Sequence, residues 1–278
     1  MSFVPILLAL CPLNAPFTPC QQTQQAYQPH IKAASNQAED SIAKQQVPDG
    51  FQISLWAAEP NLANPVAFCF DLLGRVYVAE TFRQEVDGVP DNRGHRYWIK
   101  DDLRLQTVEQ RGEMYRKHHP ESAVEWTDQH DRIRRLVDTD SDGSADQITV
   151  FADGFNHLLD GTGAGILARG NDVWFACIPK LWKLTDKELN GVSNNREALH
   201  HGYGVRVALR GHDLHGLIIG PDGKLYFSIG DRGYNVITSE GSRLMEPGRG
   251  AVFRCELDGT GLEVIATGLR NPQELAFD

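Results

Sequence analysis

Apolar and polar positions along this 278-residue chain alternate in short runs broken by turn residues. Residues 217–219 are apolar, Pro221-Asp222-Gly223 is turn chemistry, and residues 225–229 form a second apolar run, which predicts a β-hairpin. The same turn-then-strand signature recurs around residues 170–175 and 72–80. Asn64-Pro65-Val66-Ala67-Phe68-Cys69-Phe70-Asp71 returns as Asn271-Pro272-Gln273-Glu274-Leu275-Ala276-Phe277-Asp278. Short strands in repeating units with glycine and aromatic marks predict an all-β fold, a β-propeller, over residues 47–278. A β-sandwich with accidental internal similarity is the competing architecture. The repeat stops at Asp278, where another strand is due. That reads as a propeller cut within a blade, the N-terminal part of a longer protein.

Three segments depart from the strand pattern. Residues 96–121 space Trp98, Ile99, Leu103, Leu105, Val108 and Met114 as one helical face, ending at His118-His119-Pro120. This predicts a helical insertion in a loop, with the two histidines solvated at its end. Residues 3–13 are apolar and are followed by small residues, so residues 1–20 read as an export segment, although the charged start of a secretory signal is missing. Residues 21–46 are rich in Gln, Ala and Ser and predict a disordered linker.

Composition narrows the function classes. A hydrophobic fraction of 41% with 23% charged residues is that of a chain able to build a core. A net charge of −10 with no basic stripe argues against nucleic acid as a partner. No apolar run is long enough for a transmembrane helix. Five cysteines occur without a CxxC or CxxCH spacing, so neither a zinc knuckle nor covalently attached haem is encoded here.

Two constellations carry chemistry. His212 and His215 enter the predicted hairpin and Asp231 leaves it. An imidazole beside a carboxylate on rigid strands is what a general base requires, because the carboxylate fixes its tautomer; a polar, solvated strand end is the plainer alternative. The second constellation is Asp138, Asp140, Asp142 and Asp146, at positions 1, 3, 5 and 9 of a loop with Gly143 at position 6. This spacing wraps oxygens around a hard cation such as Ca2+. Position 12 is Thr149 rather than Glu, and the flanks read as strands, so a calcium-stabilised hairpin loop is expected rather than an EF-hand. A solvated acidic turn is the alternative.

The run GHDLHGLIIGPDGKLYFSIGDRGYN, followed by GLRNPQELAFD, resembles the soluble glucose and sorbosone dehydrogenases, six-bladed propellers that use pyrroloquinoline quinone with calcium. The wider chain is similar to the membrane-bound dehydrogenase-type proteins of planctomycetes and verrucomicrobia, through YWIKDDLRLQT, KHHPE, RIRRLVDTDSDGSADQITVFADGF and DGTGAGIL. The first resemblance implies that His212, or its competitor His215, abstracts a proton as hydride leaves the substrate, that Asp231 orients that histidine, and that Arg270 and Asn271 hold the quinone. It also implies a sugar or polyol substrate and a periplasmic setting. The second implies a cytochrome c electron acceptor. Gly211 (or Leu214, if His215 is the histidine) and Thr162 depart from the pattern of the glucose enzymes, so glucose itself is not implied. Two further readings stand beside a quinone-dependent dehydrogenase: a non-catalytic propeller that binds a glycan or protein, and a calcium-dependent lactonase-type hydrolase.

Overall fold

A computed structural model describes residues 27–84, 88–121, 126–209 and 211–278. The expected export segment 1–20 lies outside the described residues. Most of the regular secondary structure among the described residues is antiparallel β-sheet, so the all-β expectation is met.

The first sheet runs β1 (Pro65–Phe70), β2 (Val76–Glu80), β3 (Asp131–Val137), β4 (Gln147–Phe155) in sequential order. The second repeats that order with β5 (Gly163–Arg169), β6 (Asp172–Cys177), β7 (Lys180–Thr185) and β8 (Asn195–His201). The third is built from β9 (Leu214–Ile219), β10 (Leu225–Ile229), β13 (Gly250–Cys255) and β14 (Glu263–Leu269), again as neighbours in chain order. Between β10 and β13 a separate hairpin, β11 (Tyr234–Ile237) with β12 (Arg243–Glu246), projects from the third sheet.

Strand periodicity explains how the sheets stack. Along β6, Val173, Phe175 and Cys177 join Tyr77, Ala79, Ile133 and Phe151 of the first sheet. The intervening Trp174 and Ala176 join Leu214, Leu225, Phe227 and Phe253 of the third. A strand with side chains alternating across the sheet thus serves two cores, which is why β6 is apolar from Val173 to Cys177 rather than alternating. Each fully buried Phe contributes roughly 1.5–3 kcal/mol of hydrophobic stabilisation.

The strands β1, β5 and β9 lie side by side, each the first strand of its sheet. Beyond β9, residues 271–278 continue the series without strand pairing: Gly216 faces Gln273 and Leu275, Ser228 Oγ donates to the Pro272 carbonyl (2.7 Å), and Tyr226 meets Phe277 edge to face.

The segment after β2 is helical in pieces: a 3-10 turn Arg96–Trp98, α2 (Ile99–Asp102) and α3 (Val108–His118), while α1 (Gln37–Ile42) lies upstream. Thr107 caps α3 by accepting from the Gln110 amide (3.2 Å). The apolar face of these helices buries Trp98, Met114 and Tyr115 against Trp126, Leu158, Val205 and Val207, so the insertion covers one end of the second and third sheets.

Two expectations need correction. His118 and His119 are not free helix-end residues: His118 Nε2 bonds Asp101 Oδ2 (2.9 Å), and His119 Nε2 meets the Tyr97 hydroxyl. Residues 27–46 are not without structure. The Tyr27 ring stacks on His130 with centroids 4.1 Å apart and its hydroxyl donates to Gln129 (2.8 Å), while α1 forms from the helix-favouring Gln-Ala-Glu run. Tyr27 ties the start of this stretch to the rest of the fold, while α1 buries no side chain.

Candidate functional site

The site is assembled where the chain enters first strands and leaves second strands. β5 and β9 run in the same direction: Gly161 lies against Asp213, and Gly165 against His215. The turns at 160–162, 211–213 and 270–271 therefore reach the same end of the stack. The DGTGAGIL run explains the closeness, since a Cβ on Gly165 would stand 3.3 Å from His215 Cα.

His212 sits two residues before the paired register of β9 and β10, which ends at Leu214 opposite Ile229. Its Nδ1 lies 2.5 Å from Asp231 Oδ1. The imidazole is buried, whereas the Asp231 carboxylate is 41% exposed. His212 adopts φ +64°, the left-handed region that costs a residue with a Cβ on the order of 1–2 kcal/mol. Gly230 permits the approach, because a Cβ there would fall 2.6 Å from His212 Cβ. The arrangement is a base with one ring nitrogen committed to a carboxylate, which leaves Nε2 as the atom able to take a proton.

His215 is placed differently. It lies inside β9 opposite Ser228, buried, with Nδ1 3.2 Å from the Ala164 carbonyl oxygen and Nε2 without a hydrogen-bond partner among the described residues. The structure pairs His212 with Asp231; it gives His215 a backbone carbonyl instead. Arg270 has an exposed side chain, and its carbonyl accepts the Asp231 amide (2.7 Å). The next residue, Asn271, is half-buried and its Oδ1 is buried with no hydrogen-bond partner among the described residues. The Arg270–Asn271 turn is thus joined to the His212–Asp231 pair through backbone.

Behind the pair lies a buried polar layer that sequence reasoning did not single out. Asp213 and Arg232 form an ion pair with both side chains at most 2% exposed. Arg232 also donates Nε to the Arg206 carbonyl (3.0 Å). Arg83 is wholly buried and donates to the carbonyls of Asp160 (3.0 Å), Gly88 (3.0 Å), Trp126 (3.2 Å) and His157 (3.2 Å). Asp131 accepts from Thr81 Oγ1 (2.9 Å) and from the amides of Phe82 (3.0 Å) and Gly163 (3.1 Å), tying the first sheet to the second. Burial pushes the carboxyls of Asp131 and Asp160 up from the ordinary range, against the pull of Arg83. Burial also raises the Cys177 thiol far above its usual value, so it is no nucleophile. The only sequence signal for this layer was adjacency: Asp213 follows His212, and Arg232 follows Asp231.

The acidic loop joins β3 to β4, at the opposite end of β3 from Asp131. One carboxylate oxygen each of Asp138, Asp140 and Asp146 lies within 4.8 Å of the others. Asp142 is not in the group; its Oδ1 accepts the Ser144 amide (2.8 Å). Asp138 accepts from the Ser141 (2.7 Å) and Gly143 (3.0 Å) amides, so the loop is already shaped by its own hydrogen bonds.

Fold and site together define an all-β protein of stacked antiparallel sheets with a His–Asp pair at one sheet end. The chain belongs to the family described as domain of unknown function DUF7133, whose model matches residues 37–278. No curated protein matches the chain.

Proposed function

We propose that the stacked sheets are blades of a β-propeller and that the domain is a quinone-dependent dehydrogenase acting on a sugar or polyol outside the cytoplasm. The blade reading is supported by three sheets of one topology with their first strands side by side, and by residues 271–278, which repeat 64–71 and lie beside β9 as a fourth first strand would.

The observation that carries the activity is the His212–Asp231 pair, at 2.5 Å, on a backbone strained to hold it. Strain of this kind persists where the surroundings over-determine it, and it gathers at sites that need a fixed geometry. In the reaction His212 Nε2 takes the hydroxyl proton of the substrate as its C–H hydride departs, and Asp231 steadies the imidazolium that results. A bound pyrroloquinoline quinone would supply the two-electron acceptor for that hydride. The residues present fit such a group: Asn271 keeps a buried amide oxygen without a partner among the described residues, and the exposed Arg270 guanidinium beside it suits a carboxylate. A cation in the loop of Asp138, Asp140 and Asp146 would serve structure rather than chemistry. Cytochrome c is the class of protein proposed to take the electrons onward.

Spectroscopic titration of the protein with pyrroloquinoline quinone, with calcium present, tests this reading. Saturable binding that Arg270→Ala weakens supports it. An absence of binding favours a non-catalytic propeller that holds a glycan or protein.

A further inference from the structure

We propose that the buried Asp213–Arg232 ion pair is the device that positions His212, an inference that rests on the acid–base role given to His212 above. The segments 211–213 and 230–232 leave the β9–β10 ladder side by side, joined by the Gly230 amide to the Asp213 carbonyl (3.3 Å). His212 and Asp231 pair where the Asp231 carboxylate meets solvent, whereas Asp213 and Arg232, the residues next to them, pair in the interior with both side chains at most 2% exposed.

One link between two segments leaves them free to twist about it. Two links, from adjacent residues, remove that freedom. The interior link is itself fixed: Arg232 Nε donates to the Arg206 carbonyl (3.0 Å), the Arg206 amide donates to the Arg232 carbonyl (2.9 Å), and Asp213 Oδ1 is backed by Gly161, where a Cβ would intrude to 2.9 Å.

The left-handed conformation of His212 supplies an independent reason. A residue with a Cβ leaves that region when its surroundings loosen. A buried ion pair contributes little net stability, whereas removing one partner strands the other charge in the interior, so such a pair is suited to fixing geometry. Asp213 and Arg232 are positioning residues in this account and touch no substrate.

Proton NMR of the full chain tests the proposal without needing turnover. The His212 Nδ1–H, held by Asp231, should give a downfield, slowly exchanging resonance, assigned by its loss in Asp231→Asn. In Asp213→Asn, which keeps the side-chain shape, that resonance should move upfield and exchange faster. The indole signals of Trp98 and Trp174 should stay in place, showing that the fold is retained. Arg232→Lys should do the same, because an ammonium cannot serve Asp213 and the Arg206 carbonyl in the fork geometry of a guanidinium. Thermal denaturation shows that each variant is folded; should one fail, the other carries the test. A resonance that is unaltered in a folded Asp213→Asn or Arg232→Lys protein overturns the positioning role. A resonance insensitive to Asp231→Asn sinks instead the pairing on which the role rests.

Discussion

Gly161 backs directly onto Asp213: a Cβ at residue 161 would lie 2.9 Å from Asp213 Oδ1 and closer still to Ile178. A glycine on the entry to one sheet thus makes room for the ion pair that underlies the site on the next. Gly161→Ala should cost about 1–3 kcal/mol by overpacking, read as a fall in Tm of a few degrees in thermal denaturation. A variant as stable as the parent would show that this contact is loose.

The pH dependence of stability should carry the mark of Asp160. Its carboxyl is pushed up by burial, so the folded state holds a proton that the unfolded chain releases above the ordinary value of 3.8. The sign follows: more protons bound in the folded state means stability that falls as pH rises from 3.8 through the raised value. Asp160→Asn should flatten that part of a Tm-against-pH profile. Parallel profiles for the two proteins would contradict the assignment.

The acidic loop should bind one calcium ion through three of its four aspartates. Isothermal titration should show Asp140→Ala and Asp146→Ala losing the heat of binding, and Asp142→Ala keeping it, because Asp142 turns to the Ser144 amide. Calcium needs six to eight oxygens, so backbone carbonyls and water must complete the shell. Equal heats from the parent and Asp140→Ala would leave the loop an acidic turn.

How far the sequence reveals this protein differs between fold and site. The hairpin of β9 and β10 was legible from its Gly-Pro-Asp-Gly turn between apolar runs, and β3 and β4 from their places beside the Asp-rich loop, because turn chemistry and period-2 patterning are local signals. The pairing of His212 with Asp231 was legible as a nearness, since a hairpin must return its ends together. The choice between His212 and His215 was not. It depends on His215 falling inside β9 while His212 precedes it, and on a left-handed backbone at His212 that nothing in the residue type announces. The buried Arg83 and Arg232 were invisible for a related reason: an arginine reads as surface until the carbonyls or carboxylate that receive it are assembled from distant turns. Tyr27 escaped in the same way, because its partner His130 is about a hundred residues away.

Dye-linked oxidation of a panel of sugars and polyols, with pyrroloquinoline quinone and calcium supplied, tests the central claim most directly when the parent is compared with His212→Asn and His215→Asn. His212→Asn should lose activity by on the order of 10²- to 10⁴-fold, the usual worth of a positioned base, while quinone binding persists. His215→Asn should retain most of it, since His215 bonds a backbone carbonyl and not Asp231. Activity that survives His212→Asn, or a parent that binds quinone and oxidises nothing in the panel, would contradict the account.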